Sequence, residues 1–231
     1  MFLEEYMDTL EARFNNFILS RSSNESIDQL PNELFPFKKA DYLVYTRSLT
    51  LEVKRLESDR GAVLNQKLSE LANSDPSFPQ FFGTVSIESI IKAHKDSQKF
   101  RNWCMDFSGR VIKSNIKNAN VQLQHTKDAL DIPRSTGVLV ILNDSIPLYD
   151  DEFIFSIVAK ELNKKDENGD FKRKYVEVVW FINELKLSEN ISSAIVIKGP
   201  SLRNENSLTA LDMLMTNWSS FNNYAIQVKK T

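Results

Sequence analysis

Residues 136–144, TGVLVILND, most restrict the fold that this chain can adopt. Five consecutive aliphatic residues, Val138 to Leu142, lie between turn-forming residues and show no alternation with polar ones. A short run of this kind is typical of a strand that is covered on both faces. We therefore expect a sheet with helices on both sides, and an Asx turn at Asn143-Asp144 where the strand ends.

The rest of the chain alternates between helical and extended patterns. Amphipathic spacing predicts helices over residues 2–19, 59–71, 86–130 (in two pieces), 150–163 and 207–218. Strand-forming runs predict strands over 41–46, 49–56, 136–142, 175–183, 193–199 and 223–230. The fold class predicted from this order is α/β in the broad sense, an α+β arrangement with a central mixed β-sheet flanked by helices.

Composition bounds the domain organisation. The chain has 231 residues, of which 42% are hydrophobic, and it contains no repeat or Gly/Pro-rich linker. We expect one domain over residues 1–231, because this length suffices for a single large core. The chain has a single cysteine, Cys104, which rules out an internal disulfide and fits the reducing cytoplasm. We expect the Cys104 side chain to be a small buried hydrophobe in the core. Neither a cleaved secretion signal nor a membrane span is expected.

Several kinds of catalytic site lack the residues that they need. The two histidines, His94 and His125, are too few for a histidine-rich zinc site, and their spacing from Cys104 suits no mixed site. Cys104 falls inside a predicted helix without the turn that activates a nucleophilic cysteine. Six scattered glycines form no phosphate-binding loop, so ATP hydrolysis is not expected. The three tryptophans, Trp103, Trp180 and Trp218, are expected in the core.

Charged residues in a predicted hairpin are the unusual feature of the chain. The segment 39–56, KADYLVYTRSLTLEVKRL, predicts two strands joined by a two-residue turn at Thr46-Arg47. Such a turn sets Asp41 opposite Glu52, with their β-carbons about 5 Å apart. Lys54 lies on the same face as Glu52, because side chains alternate along a strand.

Two carboxylates at this distance repel each other unless a cation offsets their charge. A divalent ion such as Mg²⁺ or Mn²⁺ is the natural partner, since it prefers oxygen ligands, and the carbonyl of Val53 can add another. Lys54 can then orient the attacking water or stabilise charge on a phosphate. The pattern therefore predicts phosphodiester hydrolysis.

The motif in this hairpin consists of Asp41, a spacer of ten residues and then Glu52-Val53-Lys54. It resembles the motif of the PD-(D/E)XK nuclease superfamily, which has the restriction-endonuclease-like fold. The resemblance covers roughly residues 2–143, and the remainder, 144–231, is expected to extend the sheet with additional helices and strands. It implies that Asp41 and Glu52 bind the metal ion and that Lys54 assists the nucleophilic water. It also implies Glu11, on the first helix, as a further metal ligand. The sequence departs from the pattern at Ala40, where the family name has proline.

A basic helical region, residues 86–130, suggests nucleic acid as the partner. Eight basic and three acidic residues lie between Ser86 and Lys127, a pattern that also fits an ordinary solvated helix surface. The second half of the region predicts a buried side, Ile112, Ile116, Ala119, Leu123 and Leu130, beside a basic and amide-bearing side, Lys113, Lys117, Asn120, Gln124 and Lys127. The residues that the resemblance places near the phosphates are Gln66, Lys113, Lys117, Gln122 and Gln124.

The function predicted is a metal-dependent nuclease, with DNA as the expected substrate. The alternative is a catalytically silent module with the same fold that binds nucleic acid or a partner protein in a larger assembly such as a defence system. A third reading is an interaction or immunity protein on an unrelated α/β fold, and a homodimer is compatible with each. The distance between the Asp41 and Glu52 carboxylates separates the third reading from the first two.

Overall fold

The computed structural model describes residues 9–57, 60–76, 78–81, 83, 85–185 and 191–230. Residues 1–8, which open the first predicted helix, lie outside this set. The predicted strand pattern is confirmed in outline. The described strands form one seven-stranded sheet, and their order across the sheet is their order along the chain.

The bounds of the strands are β1 Glu25–Ser26, β2 Tyr42–Val44, β3 Leu49–Arg55, β4 Thr136–Asn143, β5 Val178–Asn183, β6 Ile191–Lys198 and β7 Ala225–Lys230. Strands β1, β2 and β3 pair antiparallel, β3, β4 and β5 pair parallel, β5 and β6 pair antiparallel, and β6 and β7 pair parallel. The sheet is therefore mixed, as the sequence predicts.

The bounds of the helices are α1 Leu10–Leu19, α2 Arg60–Ser74, α3 Ile87–Ala93, α4 Ser97–Ser108, α5 Arg110–Ala129, α6 Asp151–Leu162 and α7 Asn206–Asn222. The predicted helical region 86–130 thus contains three helices rather than two pieces. It breaks near His94 and again at Gly109, whose N–H donates to the Met105 carbonyl at 2.9 Å.

Helices cover both faces of the sheet. One core cluster joins α1 and α7 to alternate residues of the strands, among them Leu51, Val140 and Trp180. A second cluster joins α5 and α6 to the other face, through residues such as Leu139 and Phe181. All eight residues of β4 are buried, which confirms that this strand is covered on both sides.

Helices α2, α3 and α4 share a smaller apolar cluster of their own, which includes the buried Cys104. Trp180 and Trp218 are fully buried, as predicted, while Trp103 is half-buried and stacks between Phe100 and Phe107. At the end of β4 the Asn143 side chain accepts from the Ile146 N–H at 3.1 Å, three residues further along rather than the two residues of an Asx turn. Among helices in the described part of the chain, none has both the length and the apolar character to cross a membrane.

The buried side of α5 is confirmed for four of its five residues, Leu130 being only half-buried, but the predicted basic side needs correction. Asn120 and Lys127 are buried rather than facing solvent. Asn120 accepts from the Tyr175 N–H at 3.0 Å, and Lys127 donates to Glu177 at 2.6 Å. The helix is buried over a wider arc than its apolar residues indicate, because it also lies against the chain that leads into β5.

Candidate functional site

The β2–β3 hairpin has the predicted register over its paired residues, Tyr42 with Leu51 and Val44 with Leu49. The turn is tight, since the Ser48 N–H donates to the Tyr45 carbonyl at 3.1 Å. Three consecutive residues, Tyr45, Thr46 and Arg47, have positive φ, of 51°, 53° and 68°. The turn is thus left-handed over its central pair, as type I′ turns are, and also at Tyr45, without the Asn-Gly pair that favours such turns.

Asp41 departs from the predicted position directly opposite Glu52. Its N–H donates at 3.0 Å to the carbonyl of Leu51, the residue that already pairs with Tyr42. Two residues therefore oppose one, which is the arrangement of a β-bulge. Its carboxylate oxygen Oδ2 accepts from the Val53 N–H at 2.7 Å, and so continues the ladder of β3 beyond the end of β2.

Glu52 lies in the middle of β3 with no exposed surface. Neither of its carboxylate oxygens accepts a hydrogen bond of ordinary geometry within the described residues, although Oε1 is in ion-pair contact with Nζ of Lys54. A buried carboxylate without hydrogen-bond donors is costly. The Lys54 ammonium already contacts Oε1, so a metal ion bound here would share Glu52 with Lys54 or displace its ammonium.

Lys54 and Gln122 border Glu52 on its two sides. The Lys54 side chain is 28% exposed, so its ammonium connects the buried carboxylate with solvent. Gln122, on α5, lies near enough for its amide to favour the ionised form of Glu52. Gln122 also donates to the Lys39 carbonyl at 2.9 Å.

The two carboxyl groups influence each other electrostatically. Burial raises the pKa of Glu52 to about 8, the charge of Asp41 adds to the rise, and Lys54 and Gln122 act against it. Burial also raises the pKa of Asp41, against the opposing effects of the Val53 N–H and of Lys54. Lys54 is therefore in contact with Glu52, and the charge of Asp41 acts on Glu52, whereas their joint role as a site stays a prediction.

Asp41, Glu52 and the Val53 carbonyl are the groups that could hold a metal ion. Within the described ranges there is no group of three acidic, histidine or cysteine side chains close enough to hold an ion. An ion here would need the backbone carbonyl and water to complete its oxygen ligands.

Glu11 is exposed on the first turn of α1, and α1 packs on the other face of the sheet from α5. Its charge contributes only the last and smallest rise to the pKa of Asp41. The structure thus brings Glu11 within electrostatic range of Asp41, but among the described contacts none joins Glu11 to the other candidate ligands. Its assignment as a metal ligand stays a prediction.

The residues predicted to contact nucleic acid are dispersed. Lys117 is exposed on α5 and Gln124 is half-buried, whereas Lys113 forms an ion pair with Asp106 at 2.7 Å. Gln66 is exposed on α2 and bonds to Glu70 at 3.2 Å. Of this group, only Gln122 borders the acidic pair.

Thr126 is a positioning residue that the sequence did not reveal. Its hydroxyl accepts from the Ala40 N–H at 2.8 Å, one residue before Asp41. Because Gln122 and Thr126 are four residues apart on α5, they share one side of that helix. Their spacing could have shown this, but nothing in the sequence indicates that this side faces the segment before Asp41.

Comparisons with protein-family models, curated proteins and solved structures found no match for this chain. The functional argument therefore depends on the geometry of the site.

Proposed function

We propose that the protein is a metal-dependent nuclease that hydrolyses phosphodiester bonds in DNA, on a restriction-endonuclease-like fold. The single observation that carries the proposal is the Glu52 carboxylate, which is fully buried, has no hydrogen-bond donor of ordinary geometry in the described chain and lies beside Asp41 and Lys54. We propose the cytoplasm as its location, because the one cysteine suits a reducing compartment.

In this proposal Asp41, Glu52 and the Val53 carbonyl hold Mg²⁺ or Mn²⁺. Their oxygen chemistry fits such an ion, and its charge would relieve both the burial of Glu52 and the repulsion by Asp41. When bound, the ion supplies stabilisation of charge on a phosphoryl oxygen and a lowered pKa of a water molecule.

Lys54 has the second role. Its ammonium contacts Glu52 and its side chain is partly exposed, so Lys54 extends from the buried carboxylate to the surface where a phosphate would lie. There it orients the attacking water and stabilises negative charge that develops on the phosphate. Gln122 keeps the Glu52 carboxylate and the segment before Asp41 in place.

Cleavage of plasmid and of single-stranded DNA, with Mg²⁺ and with Mn²⁺, tests this function. We expect Lys54→Ala and Glu52→Gln each to lower the rate at least about 100-fold while the circular dichroism spectrum is unchanged. Lys230→Ala is the matched control. Lys230 lies on the edge strand β7, and its exposed side chain forms an ion pair with Asp212. Cleavage that persists in both site variants would refute the assignment.

The catalytically silent alternative is favoured by a different observation. Asp41 Oδ2 is engaged by the Val53 N–H, and Glu52 contacts Lys54, so the chain supplies partners for both carboxylates itself. A module of this kind would bind nucleic acid or a protein without turnover. Absence of cleavage together with absence of Mg²⁺ and Mn²⁺ binding would favour it over the nuclease.

A further inference from the structure

The segment that leads into Asp41 exposes an aromatic ring beside the candidate site. Phe37 is 67% exposed, the largest exposure of any large hydrophobic side chain in the described residues. It lies four positions before Asp41, a span of at most about 14 Å. An apolar ring at this position has no role in the core, because its neighbour Phe35 already packs against the apolar cluster under α5.

Helix α5 holds this segment by its backbone on the side of the sheet that carries Glu52. The Gln122 amide donates to the Lys39 carbonyl at 2.9 Å, and the Ala40 N–H donates to the Thr126 hydroxyl at 2.8 Å. The His125 ring nitrogen Nδ1 lies 3.3 Å from the Lys38 carbonyl oxygen. The backbone on which Phe37 is mounted is thereby fixed relative to Asp41.

The ring of Phe37 packs against the ring of His125. Its centroid lies 5.0 Å from that of His125, with 39° between the ring planes. One face of Phe37 is therefore backed by an aromatic ring, and the other is open to solvent. A nucleobase is a flat partner of suitable chemistry for such a face, and base stacking tolerates any sequence.

The charges around the ring suit a polyanion. Lys38 is exposed, and no ion pair of its side chain occurs within the described ranges, whereas Lys39 pairs with Asp28 at 3.2 Å. A base stacked on Phe37 thus has a cation beside its phosphate, which combines the two features of single-strand binding sites.

We propose that Phe37, backed by His125, stacks with an unpaired base whose neighbouring phosphate would lie at the ion that Asp41 and Glu52 would hold, so that the site takes single-stranded or frayed nucleic acid. This rests on the proposed function for the position of the phosphate. A base within a duplex cannot offer its face to the ring, because its neighbours in the stack cover it.

Equilibrium binding, measured by fluorescence anisotropy in the presence of a metal chelator, tests the inference without any cleavage. The probes are a labelled oligothymidylate of about 16 nucleotides and a duplex of equal length. We expect Phe37→Ala to weaken binding of the oligothymidylate roughly tenfold and binding of the duplex much less. Phe37→Trp should bind the oligothymidylate at least as well as the native chain.

Met213→Ala is the matched control. Met213 is 54% exposed on α7, across the sheet from α5, and its removal should leave both affinities unchanged. Equal binding by Phe37→Ala and Met213→Ala would overturn the inference. So would a finding that Phe37→Ala changes only the sedimentation of the protein, since the ring would then lie between two copies of the chain.

The outcomes keep this inference separate from the proposed nuclease activity. If the native chain cleaves DNA and Phe37→Ala retains full affinity for the oligothymidylate, the stacking surface is wrong and the nuclease stands. If no cleavage occurs but binding depends on Phe37, the nuclease is wrong and the chain binds single strands without turnover.

Discussion

At the scale of single residues, Glu52 decides how the site responds to pH. Its carboxyl has no exposed surface, and burial with the nearby charge of Asp41 raises its pKa to about 8 from 4.5. Between these two values the folded chain keeps a proton that the unfolded chain has released. The free energy of unfolding therefore falls as the pH rises from about 4.5 to about 8, because ionisation of Glu52 is disfavoured only in the folded state.

Glu52→Gln removes this loss, because glutamine has no proton to release. We expect the variant to gain stability over the native chain as the pH rises, by about 2 kcal/mol more at pH 9 than at pH 5. Urea denaturation with a chelator present measures both proteins at the two values of pH. Asp212→Asn gives the background, since its side chain is 44% exposed. A difference that stays constant with pH would contradict the assigned burial.

The sequence correctly predicts that Lys54 lies beside Glu52, because side chains alternate along β3, and it predicts the register of the hairpin. It did not reveal the bulge at Asp41. Next to the bulge, the Ala40 N–H donates to the Thr126 hydroxyl. Thr126 is distant in sequence, and no local pattern indicates such a contact.

At the scale of elements, α5 is fixed to the sheet by a buried ion pair. Lys127 donates to Glu177 at 2.6 Å, and the same Glu177 oxygen accepts from the Gly137 N–H at 2.8 Å. One carboxylate thus joins the helix to the start of β4. Periodicity identified the apolar side of α5 correctly, but it assigned Lys127 to solvent, since a lysine gives no sign of a partner fifty positions away.

Lys127→Ala should cost about 3–5 kcal/mol in the free energy of unfolding, because it leaves Glu177 buried without its counter-charge. Chemical denaturation measures the loss. Lys117→Ala on the same helix is the control, and it should change stability by no more than about 0.5 kcal/mol because Lys117 is exposed. The double variant Lys127→Met, Glu177→Gln should recover most of the loss. If Lys127→Ala is no more harmful than Lys117→Ala, the ion pair does not hold the helix.

At the scale of the whole molecule, an ion bound at the site should stabilise the entire chain, because the unfolded state lacks the geometry that holds it. Mn²⁺ at a hundredfold excess over its Kd should raise the free energy of unfolding by about 2.7 kcal/mol, seen as a higher Tm. Asp41→Asn should abolish the increase, and Asp212→Asn should retain it. An equal increase in all three proteins would show that the ion binds elsewhere.

The mixed sheet with helices on both sides followed from the sequence, since an uninterrupted aliphatic strand such as β4 needs cover on each face. The positions of strands β5, β6 and β7 relative to the hairpin did not follow from the sequence. Short apolar runs indicate that strands exist but do not indicate which strands pair with each other. Their addition in chain order is a property of the assembled molecule.

The order of the strands across the sheet is their order along the chain. During synthesis, the preceding neighbour of each strand has therefore already left the ribosome when that strand emerges. No strand has to be inserted between two that are already paired. Asp41, Glu52, Lys54 and Gln122 all precede β4, and the closing strand β7 is the outermost one. The acidic pair can therefore be assembled early in synthesis, while the later strands widen the platform on which it stands.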